Sequence, residues 1–250
     1  MEAYTDFADV YDTFMDETPY EEWCEFLVQK MEDYKVPKGL VLDLGCGTGT
    51  LTQMLSENGY DMIGVDNSEQ MLAIAMEKRE KSGENILYLL QDMREFELYG
   101  TVGAVISVCD SLNYLLEEEE LVQTFRLVNN YLDPKGIFIF DFNTVYKYKE
   151  VIGDATIAEN REECSFIWEN YYHAEKEINE YELTIFVREE DGLFRKFEEN
   201  HYQRGYRLEQ MKQALKEAGM EFVTALDADT HGEITDISER IYCIARECGK

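Results

Sequence analysis

Val41-Leu42-Asp43-Leu44-Gly45-Cys46-Gly47-Thr48-Gly49-Thr50 decides the fold: an apolar run bearing an acid passes into three glycines that alternate with other residues. A buried parallel strand reads this way, followed by a tight backbone loop that opens a helix. Such a loop lets a ligand lie against main-chain N–H groups at a helix N-terminus. The dinucleotide fingerprint needs G-x-G-x-x-G, whereas Gly45, Gly47 and Gly49 are spaced G-x-G-x-G and Thr50 stands where the third glycine is required. A phosphate-cradling Walker loop would need a lysine that does not follow.

Downstream spacing sharpens the reading. Tyr60-Asp61-Met62-Ile63-Gly64-Val65 predicts a second strand that ends at Asp66. A carboxylate at that tip can accept both hydroxyls of a ribose. Asn67-Ser68 predicts a helix N-cap before Met71, Leu72 and Ala75. Ile86-Leu87-Tyr88-Leu89-Leu90 predicts a third strand, ending at Gln91-Asp92-Met93. One strand-terminal acid is often only a helix cap. Acids at three successive strand ends beside a glycine loop form a specific pattern.

The glycine loop resembles motif I of class I S-adenosylmethionine (SAM) methyltransferases, and residues 38–141 look like that family's core. The whole chain is similar to a group of small bacterial members. These carry segments like Tyr11-Asp12-x-Phe14-Met15…Pro19-Tyr20-x-x-Trp23, Phe166-Ile167-Trp168-Glu169 and His201-Tyr202-Gln203-Arg204-Gly205-Tyr206. The resemblance implies a doubly wound α/β fold whose seven-stranded, mostly parallel sheet has the order 3-2-1-4-5-7-6, strand 7 being antiparallel. It implies SAM as cofactor. Asp43, Gly45, Gly47 and Gly49 would line its methionine side, Asp66 and Asn67 its ribose, and Asp92 and Met93 its adenine. Met71 either packs on the adenine or belongs to helix core. Cys109 either lies beside the cofactor or is a small buried thiol. Tyr4, Tyr11, Tyr20 and Trp23 either close over the cofactor or pack the N-terminal helices, with Tyr11 and Trp23 favoured for function.

Cys109-Asp110-Ser111-Leu112-Asn113-Tyr114 occupies the position of motif IV. Other members place N-P-P-Y there. This chain has the asparagine and tyrosine without the prolines, which puts the amino-orienting chemistry of the nucleic-acid and glutamine enzymes in doubt. Asp110 is a candidate general base or substrate-orienting acid, or else a loop cap. Tyr114 is the second catalytic candidate. Arg204 is the third: it either holds a substrate carboxylate or pairs with a glutamate.

Organisation follows from periodicity. Residues 1–36 predict an N-terminal helical segment. Residues 37–150 and 205–250 predict the SAM-binding domain. The fourth strand is Val102–Val108 and the fifth Ile137–Asp141, after a turn at Asp133-Pro134-Lys135-Gly136; Leu121, Phe125, Val128 and Leu132 mark the helix between them. Residues 151–204 predict an inserted antiparallel sheet of three strands, Glu163–His173, Ile178–Glu190 and Leu193–Gln203, with a hairpin turn at Asp191-Gly192. The insertion reads as a lid over the acceptor, with Trp168, Tyr172, His201, Arg204 and Tyr206 as candidate contacts, or as a dimer surface or extra scaffold. Arg207–Ala218 returns to helix, and Glu221–Leu226 and Arg240–Arg246 predict the last strands.

The charge is −30, from 23 basic and 53 acidic residues. Such a surface offers no phosphate track, so nucleic acid and anionic membranes are excluded as expected partners. The six irregularly spaced cysteines and the absence of a leader-like or membrane-spanning run predict reduced thiols in a cytoplasmic protein. The three histidines have no metal-ligand spacing, so no metal is expected. The reading is therefore a SAM-dependent methyltransferase acting on a small molecule by in-line transfer, with room for a homodimer. The alternative is a SAM-binding protein that uses the cofactor for other chemistry, or as a sensor without methyl transfer.

Overall fold

The computed structural model describes residues 8–250, apart from the side chain of Asp9; Tyr4 lies outside the described residues. The sheet contains β1 (Leu40–Leu44), β2 (Asp61–Asp66), β3 (Leu87–Leu90), β4 (Val102–Ser107) and β5 (Leu132–Asn143). After an inserted sheet of β6 (Thr156–Asn160), β7 (Cys164–His173), β8 (Ile178–Arg188) and β9 (Phe194–Arg204), the chain rejoins it as β10 (Glu221–Asp227) and β11 (Arg240–Arg246). Strand order is β10-β11-β5-β4-β1-β2-β3. Every pair is parallel except those made by β11. This is the expected seven-stranded order.

Alternation along the strands builds two cores. Leu42, Leu44, Val105, Phe138 and Phe140 face α5 (Glu118–Tyr131) and α6 (Leu208–Glu217), where Leu121, Phe125, Met211 and Leu215 are buried. Val41, Ala104, Ile106, Ile137 and Ile139 face α2 (Tyr20–Asp33), α3 (Thr50–Glu57) and α4 (Glu69–Ser82), which contribute Leu27, Met31, Leu51, Leu55, Leu72 and Ala75. Helices on both faces leave the carboxyl edge of the parallel strands as the open rim. The short helix α1 (Ala8–Phe14) packs elsewhere: Val10 joins Cys164, Phe166, Leu183 and Ile185 on the inserted sheet.

Two expectations about elements change. The insertion has four strands rather than three. β6 is largely exposed and pairs only with β7 through Thr-Ile-Ala-Glu-Asn, which has too few apolar residues to show a period of two. The fifth strand starts at Leu132 rather than Ile137. Leu132 already pairs with Val102, and the Asp133–Gly136 turn survives as a bulge before Ala104 meets Ile137.

Candidate active site

The glycine loop leaves β1 and crosses to β2. The Gly45 and Cys46 amides donate to the Val65 carbonyl at 2.8 and 3.0 Å, and the Gly47 amide donates to Asp66 Oδ2 at 2.8 Å. Asp66 Oδ1 accepts the Ser68 amide at 2.9 Å, and Ser68 Oγ caps α4 through the Met71 amide at 3.2 Å. Asp66 thus joins the loop to the start of α4, and burial pushes its carboxyl above the ordinary value. Asp43 is 2% exposed and accepts the Thr52 hydroxyl at 2.6 Å. Burial, with Asp66 nearby, pushes it up to about 7.

Two loop glycines have distinct duties. A Cβ on Gly45 would stand 2.6 Å from Ser111 Oγ, so its absence lets the loop after β4 close on the loop after β1. A Cβ on Gly49 would strike the Tyr88 hydroxyl. With φ of 74°, Gly49 caps α3 and admits β3.

A cavity of about 530 Å³ opens at this rim. Of the sequence-derived candidates, Tyr11, Trp23, Asp43, Gly45, Gly47, Asp66, Asn67, Met71, Asp92, Met93, Cys109 and Tyr114 line it. Gly49, Asp110 and Arg204 do not. Gly49 is turned to Tyr88 and Ala75. Arg204 donates to the Leu116 carbonyl at 2.9 Å and pairs with Glu118 at 3.2 Å, so the glutamate-pairing alternative describes it. Asp110 is spent on the inserted sheet, accepting Gln203 Nε2 at 2.5 Å. Trp168, Tyr172, His201 and Tyr206 are not on the cavity wall either. Tyr206 is fully buried, its hydroxyl on the Leu115 carbonyl.

Sequence reasoning missed the clamp behind motif IV. Cys109 and Asp110 both adopt left-handed backbone, at φ of 63° and 52°, a strained arrangement for non-glycine residues. Fully buried Asp141, at the carboxyl end of β5, fixes it by accepting the Cys109 amide at 3.0 Å and the Asp110 amide at 2.8 Å. Arg240 pairs with Asp141 at 3.1 Å and lies 4.3 Å over the Trp23 ring. The only signal was position, since Asp141 ends strand 5 and Arg240 opens the final strand.

The opposite wall is closed by α1 and α2. Tyr11 Oη lies 3.8 Å from Cys109 Sγ, and burial pushes the Cys109 thiol up to about 12. The Tyr20 and Trp23 rings meet edge to face at 5.5 Å. A latch holds α1 to the loop: Thr48 Oγ1 donates to Asp12 at 2.7 Å, while Lys78 pairs with Asp12 at 2.6 Å and donates to Thr50 Oγ1 at 2.7 Å. At the far end Arg94 grips Asp92 at 2.5 Å and Glu120 at 2.6 Å, holding the Asp92 carboxyl below the ordinary range.

A doubly wound sheet of this order, a glycine loop without a phosphate-binding lysine, and acids at the β1 and β2 rim define a nucleoside-cofactor enzyme. The chain belongs to the class I SAM-dependent methyltransferases. A methyltransferase domain model matches residues 41–136. A protein of Geobacillus sp. (strain WCH70), provisionally named a methyltransferase, is 40% identical over 247 residues, covering 98% of this chain and all of the relative. The crystal structure of a SAM-dependent methyltransferase from Clostridium acetobutylicum ATCC 824 superposes with a TM-score of 0.89 at 27% identity, covering 99% of this chain and 100% of that one. The dTDP-3-amino-3,4,6-trideoxy-alpha-D-glucopyranose N,N-dimethyltransferase of Streptomyces venezuelae is 30% identical over 138 residues, covering 54% of this chain and 56% of the relative. The cofactor is SAM. The donor set suits it, because buried carboxylates match an ammonium and a ribose diol, and the loop offers no lysine for a phosphate.

Proposed function

We propose that this enzyme methylates a small-molecule acceptor that is neutral or cationic where it meets the cofactor. The observation that carries this is the charge of the cavity wall. Among the described residues, Arg94 is the only Lys or Arg lining the cavity, and it is held by both Asp92 and Glu120. An anionic acceptor would find carboxylates and aromatic rings there. The amino-sugar acceptor in the Streptomyces relative's name supports the same polarity.

Each residue then has a role. Asp43 and the Gly45–Gly47 backbone hold the methionyl end, Asp66 and Asn67 the ribose, and Asp92 and Met93 the adenine, with Met71 against it. When bound, SAM supplies a methyl group on a sulfonium, which leaves as a neutral thioether. The enzyme must chiefly align the reactants and exclude water. Tyr11, Tyr20 and Trp23 form an electron-rich wall suited to a cation. Cys109 and Tyr114 face the acceptor side. Asp110 acts from behind, tying motif IV to Gln203 of the lid.

Calorimetry with SAM, S-adenosylhomocysteine and NAD tests the cofactor assignment; SAM and its product bind and NAD does not. Radiolabelled methyl transfer to panels of amino sugars, amino acids and unfolded peptides tests the acceptor class. Tight NAD binding without SAM binding overturns the enzyme reading. Label transferred to peptides and not to small molecules overturns the acceptor reading.

A further inference from the structure

The inserted sheet buries a carboxylate and an imidazole on its inner face. Glu199 and His201, two residues apart on β9 and therefore on one face, are 4% and 2% exposed. Their neighbours on that face include Leu183, Ile185 and Phe166. Burying a carboxylate among such residues is costly unless it is paired and hydrogen-bonded. Glu199 Oε2 lies 3.1 Å from His201 Nε2. His201 Nδ1 lies 3.1 Å from Tyr114 Oη, which lies 2.9 Å from Tyr181 Oη. Tyr181 sits directly across the ladder from His201, their rings stacked at 5.0 Å and 9°. Of these four residues, Tyr114 alone lines the cavity.

One polarity satisfies the chain: Tyr181 donates to Tyr114, Tyr114 donates to His201 Nδ1, and His201 Nε2–H donates to Glu199. Burial keeps the Tyr181 phenol protonated, far above its usual range. Among the described residues, the groups facing this chain include Glu199 from its own strand, Tyr181 from β8, Tyr114 from the turn after β4, and Asp110 and Cys109 beside that turn.

We propose that Tyr114, His201 and Glu199 form a proton relay that discharges the methyl acceptor, which is therefore an X–H nucleophile, an amine or a hydroxyl. The proposal rests on reading the cavity as a methyl-transfer site. A lone pair on X forms the X–C bond while the S–C pair stays on sulfur, and the X–H pair stays on X as its proton leaves. The acceptor proton moves to the Tyr114 oxygen as the Tyr114 proton moves to His201 Nδ1. The imidazolium formed faces the Glu199 carboxylate, and it returns its proton to water when product leaves. Tyr114 is the catalytic residue. His201 and Glu199 are positioning residues that act through it. A thioether or tertiary-amine acceptor, with no proton to lose, would leave this buried chain without a task.

Two measurements test this without the native acceptor. With three histidines in the chain, ¹⁵N-histidine NMR can follow His201 individually. In the wild type Nδ1 is unprotonated and Nε2 protonated. Tyr114→Phe shifts the Nδ1 resonance, and Glu199→Gln shifts the Nε2 resonance. A wild-type His201 protonated at Nδ1, or one indifferent to Tyr114→Phe, overturns the relay whatever the other variants do. The second measurement compares sinefungin, which carries an amine where SAM carries the methyl, with S-adenosylhomocysteine by calorimetry across pH. In the wild type the affinity ratio rises about fivefold or more from acid to neutral pH. In His201→Gln and Glu199→Gln the ratio loses that step, while S-adenosylhomocysteine affinity stays near wild type. An identical ratio profile in wild type and variants overturns the relay. Failure of the wild type to bind either ligand overturns the methyl-transfer reading instead.

Discussion

Asp43→Asn is expected to stabilise the ligand-free protein above neutral pH and to weaken SAM binding. The Asp43 carboxyl is raised by burial from 3.8 to about 7. Between these values the folded chain holds a proton that the unfolded chain has released, so the associated stability falls as pH rises. It is fully present below pH 3.8 and lost once pH passes about 7. At about 1.4 kcal/mol per pH unit that interval has a ceiling of roughly 4 kcal/mol, and sharing with nearby Asp66 makes about 2–4 kcal/mol the working range. Asparagine keeps the acceptor for the Thr52 hydroxyl and never ionises. Its melting temperature should exceed wild type by about 5–10 °C at pH 8 and by less than half as much near pH 5. SAM affinity should meanwhile fall about tenfold or more, because a charge-assisted hydrogen bond is lost. Scanning calorimetry at the two pH values, with binding calorimetry at pH 8, decides it. Equal melting temperatures at pH 8, or the same destabilisation at both pH values, would refute the reasoning.

Asp66→Ala should weaken SAM binding about tenfold to a hundredfold with the circular dichroism spectrum unchanged, and wild-type affinity would remove the ribose assignment. Arg240→Leu leaves fully buried Asp141 without its ion-pair partner; urea unfolding should register a loss of roughly 3–5 kcal/mol, recovered in part by adding Asp141→Asn. The net charge of −30 predicts no retardation of tRNA in a gel-shift assay at moderate ionic strength, and salt-sensitive binding would contradict the small-molecule assignment.

The parallel core was legible because every strand end carries its own punctuation. Ser68, for example, appears in the structure as the helix cap that the Asn67-Ser68 pair implied. Most of the cavity lining was legible for the same reason, since the glycine loop and the strand-end acids are local in sequence. Long-range pairing was not. Nothing in Asp141 or Arg240 announces a clamp, because the partners are far apart in the chain and each residue type is ordinary at a strand end. Arg204 misled because a cation in an acidic chain looks conspicuous, yet abundant glutamates make a partner such as Glu118 easy to find. His201 reads as a lid contact with the acceptor, whereas the structure buries it beside Tyr181 of β8, and nothing in the sequence singles out Glu199.

The placement of α1 sets an order of events in synthesis. Val10 belongs to a cluster with Leu183 and Ile185, and Arg161 pairs with Asp16 at 2.6 Å. The helix that carries Tyr11 to the cavity can therefore meet its latch partners Thr48 and Lys78 early, yet finds its apolar seat only after the inserted sheet has been translated. The loop to be closed spans most of the chain, and its entropy must be met before those contacts reward it. During translation the β1–β4 half can form its ladders while the mouth of the cofactor site stays open. The wall contributed by Tyr11 is completed late in biogenesis, so a competent site reports that the insertion has folded.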